Sequence, residues 1–213
     1  MSKSIRIFKK RLQISQKKWN TVQTHSLKTV NTILNILSRL NLTQRPDAFS
    51  MSLLTKFPDV PERLAFHLVE LINRSLSDLF TVLDQFSDVV REMRKIENTF
   101  RLDVSIIARK QVVEGTEAWP HDLDVIEQAE RTIQEIVDMY ETELNLRKQL
   151  LEEIQESVSL KPLMITAHLV LWTSEVYIEP NRIHELIEEF STIEKVCERV
   201  FQQDSYNSVP KSR

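Results

Sequence analysis

Apolar residues recur every three or four positions along most of this chain, the spacing that gives an α-helix one continuous apolar face. The first run reads Leu12, Trp19, Val22, Ser26, Val30, Ile33, Leu37 and Leu40. It ends before Thr43–Pro46, where proline interrupts helical continuation. A second run reads Leu64, Leu68, Leu71, Leu79, Val82, Phe86, Val89, Met93 and Ile96, with Phe100 one step further. A seam kept up for so long predicts coiled-coil-like packing.

Residues 101–121 lose the pattern. Val104, Ile106, Ile107, Val112 and Val113 suit another short helix or a β-rich excursion, Gly115 breaks whichever forms, and Trp119–Pro120 leads into a third long run. That run reads Leu123, Ile126, Ile133, Ile136, Tyr140, Leu144, Leu151, Ile154 and Val158. A shorter segment spans about Pro162–Trp172, and a last one carries Ile183, Leu186, Phe190, Ile193, Cys197 and Val200. Pro162 and Pro180 sit where a first-turn proline is tolerated. The expectation is an all-α protein, an elongated bundle of about five helices. Its parts are an N-terminal helical hairpin over 1–100, an irregular connector over 101–121, a C-terminal helical segment over 122–202 and a flexible polar tail over 203–213.

Composition narrows the function more than the fold. Gly115 is the only glycine in 213 residues. Phosphate loops, dinucleotide-binding turns and nucleophile elbows need several positions free to take positive φ, so none can be built here. Charge is uneven: residues 1–18 hold seven basic side chains and no acid, whereas residues 114–156 hold thirteen acids against Arg131, Arg147 and Lys148. The basic start suits either a nuclear address or a solvated helix face. The one cysteine, Cys197, falls on an apolar stripe and reads as a small core residue. No run has the length and apolarity of a signal peptide or membrane span. The expected location is cytoplasm and nucleus, with no membrane partner.

A search for chemistry finds no catalytic, cofactor or metal set. His25, His67, His121, His168 and His184 are dispersed without ligand spacing, and Glu152–Glu153 and Glu188–Glu189 read as solvated faces. The expectation is a protein that is not an enzyme and takes no cofactor. Seven N-terminal charges without a groove-reading motif imply no direct sequence-specific nucleic-acid binding.

The most specific string is Phe57-Pro58-Asp59-Val60-Pro61-Glu62-Arg63-Leu64. Asp59 can cap a helix, Glu62 can close a capping box, and Phe57 can staple onto the stem of Arg63 or onto Leu64. A helix start accounts for the string; a functional reading adds that Phe57 or Arg63 stays available to a partner.

With Trp19 and the long first helix, this string resembles the AIRIM family of ribosome maturation factors that interact with an AAA-type ATPase. Trp19, Phe57, Pro58, Asp59, Glu62, Arg63 and Leu64 carry the likeness, with looser agreement at Tyr140, Leu144 and Lys148. The C-terminal half is also similar to a sister family, the cyclin-dependent-kinase-two-interacting proteins, through Trp119-Pro120, Met139-Tyr140, Glu143-Leu144, Leu146-Arg147-Lys148, Trp172 and Tyr177-Ile178-Glu179. The resemblance implies a non-catalytic adaptor that joins AAA-type ATPase subunits and a paralogous helical subunit. That machine removes a shuttling assembly factor from the large (60S) pre-ribosomal subunit, so association with pre-ribosomes is indirect, and it is also linked to replication-fork proteostasis. The partner-binding candidates it implies are Trp19, Phe57, Pro58, Asp59, Arg63, Trp119, Tyr140, Trp172 and Tyr177. Two other readings stand beside it: a kinase-associated regulator of the sister family, and a coiled-coil tether, although a tether would not break its seam at 41–60, 101–121 and 159–181.

Overall fold

The structure is a computed structural model that describes the backbone of residues 2–45, 47–113, 120–157 and 162–207, and the side chains of 5–45, 47–106, 124–156 and 164–196. Six helices occur among the described residues and no strand: α1 (Ser2–Thr43), α2 (Met51–Lys56), α3 (Val60–Val113), α4 (Pro120–Ser157), α5 (Pro162–Ser174) and α6 (Pro180–Asn207). The all-α expectation holds. Three helices open on a proline, Pro120, Pro162 and Pro180, whose missing N–H would be unpaired in the first turn anyway.

Three boundaries differ from the sequence reading. Residues 101–113, expected as an irregular connector, continue α3. Their apolar pattern fades because Leu102 and Ile106 have no helix over them and remain exposed, while no proline or glycine intervenes to stop the helix. Helix α2 was not foreseen, because its six residues bury none of their side chains and leave no periodic signal. The last helix runs on to Asn207, five residues into the stretch expected to be a tail, and Gly115 and the side chain of Cys197 lie outside the described residues.

The chain divides into two compact units, and α1, α3 and α4 contribute segments to both. The first comprises residues 1–18, 89–142 and 177–213. Its core joins Phe8 and Leu12 of α1, Met93, Ile96 and Phe100 of α3, Ile133, Ile136 and Tyr140 of α4, and Leu186 and Phe190 of α6. Phe8 meets Phe100 edge-on at 5.2 Å between ring centroids, a favoured arrangement of aromatic quadrupoles. Arginines tie its helices together at the margin of the core. Arg94 reaches Glu97 on its own helix and Asp138 and Glu141 on α4. Burial pulls Arg94 towards losing its proton, but those hydrogen bonds outweigh it and hold the guanidinium above its ordinary value. Arg182 of α6 spans to Glu135 of α4 at 2.6 Å, and that bond raises it in the same way.

The second unit comprises residues 19–88 and 143–176. Trp19, Ile33 and Leu37 of α1, Ile72, Leu79 and Phe86 of α3, Leu151 and Ile154 of α4, and Ile165, Leu169 and Trp172 of α5 fill its core. Helix α5, Pro-Leu-Met-Ile-Thr-Ala-His-Leu-Val-Leu-Trp-Thr-Ser, is apolar on nearly every side. A helix of that kind is normally covered all round. Here Met164, Val170 and Leu171 remain exposed.

Candidate partner-binding surfaces

Two of the three tryptophans expected as partner contacts, Trp19 and Trp172, are core residues. Trp19 and Trp172 are both fully buried, because they wall a cage around the side chain of Arg147. The Arg147 guanidinium carbon lies 5.1 Å from the Trp19 ring centroid, 4.3 Å from that of Phe86 and 5.5 Å from that of Trp172. A delocalised, weakly hydrated cation suits such faces better than an ammonium would. Its polar edge is paired as well: Nε donates to Glu143 Oε1 at 2.9 Å and Nη1 donates to Gln23 Oε1 at 2.8 Å. Nη2 comes within 3.5 Å of Glu175 Oε1. Burial pushes the guanidinium below its ordinary value while Glu143, and then Glu175, oppose it.

Both indoles are fixed by their N–H groups. Trp19 Nε1 donates to Glu175 Oε1 at 2.8 Å, and Trp172 Nε1 donates to Ser26 Oγ at 2.5 Å. Glu175 follows the last residue of α5 with φ of 47°, a left-handed conformation that glycine usually takes at a helix end. In a chain with a single glycine, a glutamate fills the position, and its carboxylate serves Trp19 and Arg147 together. A left-handed non-glycine residue costs about 1–2 kcal/mol, which these two contacts offset. The cage packs the interior of the second unit.

Tyr140 is likewise buried, in the first unit, so three of the nine expected contact residues lie in the core. Trp119 lies outside the described residues. Tyr177 is exposed.

The Phe57–Leu64 string behaves differently. Ser50 caps α2, its Oγ accepting from Leu53 N at 3.3 Å, and Phe57 N closes the helix onto Leu53 O at 2.8 Å. Val60 then begins α3. The expected capping box is replaced by an ion pair: Arg63 Nε donates to Asp59 Oδ2 at 2.6 Å, and Arg63 N to Asp59 O at 3.0 Å. An arginine one turn into the helix competes successfully for the same carboxylate. Phe57 is not stapled down; it is 53% exposed. Pro58, Asp59 and Arg63 are also exposed. Around them the same unit leaves Met51 79% and Phe66 75% exposed, with Leu42, Leu53 and Leu64 partly so. Single exposed apolar residues are ordinary, but this concentration, two of them nearly bare, is not. Met51, Leu53 and Phe66 are not among the nine expected contact residues, yet they belong to this exposed set. Met51 and Leu53 lie between the two apolar runs, where no seam is defined, and only Phe66 stands visibly off the seam of Leu64, Leu68 and Leu71.

Among the described residues no group of three or more His, Cys, Asp or Glu is arranged to hold a metal. No described helix is long and apolar enough to cross a membrane.

Fold and surface together define an all-α protein that buries Trp19, Tyr140 and Trp172 and leaves Met51, Phe57 and Phe66 exposed. Over residues 1–188 the chain matches the family described as ribosome biogenesis protein C1orf109-like, and it belongs to that family. No curated protein matches it. The family name points to a role in ribosome biogenesis, in agreement at that level with the likeness carried by Trp19 and the Phe57 string. The match also takes in residues 119–179, where the sister-family likeness resides, and gives that second likeness no separate support.

Proposed function

We propose that this protein is a non-catalytic adaptor in ribosome biogenesis. It engages AAA-type ATPase subunits and a paralogous helical subunit, and so promotes release of a shuttling assembly factor from the large pre-ribosomal subunit. The chemistry belongs to the ATPase; this chain contributes binding surface, in the cytoplasm and nucleus.

The observation that supports an adaptor is the exposed set Met51, Phe57, Arg63 and Phe66 at α2 and the start of α3. Aromatic and arginine side chains set in apolar surroundings commonly dominate binding energy at protein interfaces. A tether would need a seam unbroken between α1 and α3, and here the chain is interrupted by α2, which buries nothing.

The test is depletion of the protein from cells, followed by fractionation of pre-ribosomes. The adaptor reading expects the shuttling factor to accumulate on cytoplasmic large-subunit precursors, and tagged protein to capture ATPase subunits. Normal release of the factor, with no ATPase subunit captured, would contradict it.

A further inference from the structure

Within the first unit, α1 and α3 run antiparallel, since Phe8 packs on Phe100 and Lys18 pairs with Glu92 at 2.7 Å. Between them lies a groove of about 320 Å³ lined by Arg11, Ile14, Ser15 and Lys18 of α1 and Glu92, Lys95 and Ile96 of α3. Three cations face one carboxylate there. Lys18 is matched by Glu92, but no carboxylate pairs with Arg11 or Lys95 among the described residues.

The groove itself holds Ile14 and Ile96, and further apolar side chains continue from it along both helices. Ile7, Arg11, Ile14 and Lys18 follow one another at spacings of four, three and four, so they share one stripe of α1. Leu102 and Ile106 stand seven and eleven residues beyond Lys95, on its stripe of α3. All four aliphatic side chains are exposed. Helix α1 thus presents a stripe in which aliphatic and cationic side chains alternate, with Arg11 and Lys18 about 10 Å apart along the axis, and α3 sets Lys95, Leu102 and Ile106 on its own stripe.

We propose that this groove binds an acidic amphipathic helix of a partner protein. Its apolar stripe would cover Ile7, Ile14, Leu102 and Ile106, and its flanking Glu or Asp residues would pair with Arg11 and Lys95. The complementarity favours this occupant over RNA. A phosphate backbone would take the cations but leave four aliphatic side chains wet, and among the described residues these stripes offer no exposed aromatic on which a base could stack. The groove and the α2 surface belong to different units, so one can fail without the other.

The test uses the full chain and a fluorescein-labelled 21-residue peptide of three heptads, with Leu at the apolar positions and Glu flanking them. Fluorescence anisotropy at low salt should show saturable binding that weakens as salt screens the pairs. A peptide with Lys in place of every Glu should bind about tenfold or more weakly, and Arg11→Glu/Lys95→Glu should weaken the Glu peptide by a similar factor while melting like the parent. Ile14→Asp should also reduce binding, which a purely electrostatic attraction would not show. Absence of binding, equal binding of the Lys peptide, or tighter binding of a 20-nucleotide RNA lost in the charge-reversed variant would each overturn the proposal.

Discussion

Arg147 donates from Nε to Glu143 at 2.9 Å, and neither side chain has any exposure to solvent. An ion pair this deep adds little net stability when intact, because desolvation offsets most of the attraction. Breaking it on one side is another matter. Arg147→Met should therefore cost about 3–5 kcal/mol, since it leaves the Glu143 carboxylate buried without its guanidinium and removes the cation from three aromatic faces. Arg147→Met/Glu143→Gln should recover a substantial part of the loss. Urea denaturation of the single and double variants measures the difference.

The same cage places Trp172 against Ser26, both fully buried. Trp172→Phe should cost about 1–3 kcal/mol, from a lost hydrogen bond, an orphaned hydroxyl and the space left by the smaller ring. Adding Ser26→Ala removes the orphan and should be less harmful than its own single effect predicts. A double-mutant thermal-melt cycle reads that coupling.

Tyr140, Leu144, Leu151 and Ile154 keep a core spacing with one position missing between 144 and 151, and Arg147 fills it. Ser26 sits on the α1 stripe for the same reason, although the buried neighbour of Trp19 one turn on is Gln23 rather than Val22. Periodicity thus marked the positions. It could not say that Arg147, Trp19, Phe86 and Trp172, from four helices, would meet, because that depends on how the helices pack. The long helices were legible from their seams; the continuation of α3 through 101–113 and all of α2 were not, because exposed helix leaves no apolar period.

Asp59 offers a prediction that separates a cap from a surface pair. A true N-cap loss costs about 1 kcal/mol, whereas an exposed i,i+4 pair contributes about 0.3–0.5 kcal/mol. With its carboxylate turned to Arg63, Asp59→Ala should fall in the smaller range. Ser50→Ala, which removes the α2 cap, should speed amide exchange in residues 51–57 with little change in global melting, since α2 buries no residue.

Met51 and Phe66 should act as liabilities of the isolated protein. Met51→Ser/Phe66→Ser should lower binding of a hydrophobic dye and slow aggregation on heating, without lowering the melting temperature, because neither side chain contributes to the core. Dye fluorescence and light scattering across a melt check both.

A surface around Phe57 and Arg63 that serves a partner should be separable from the fold. Purified Phe57→Ala/Arg63→Ala should melt within about a degree of the parent, since both side chains are exposed and their loss stays inside the range of surface substitutions. In the same preparation, affinity for the ATPase subunits and the paralogous helical subunit should fall by about thirtyfold or more, equivalent to about 2 kcal/mol. A variant that melts normally and still co-purifies with the ATPase subunits in full would contradict the account.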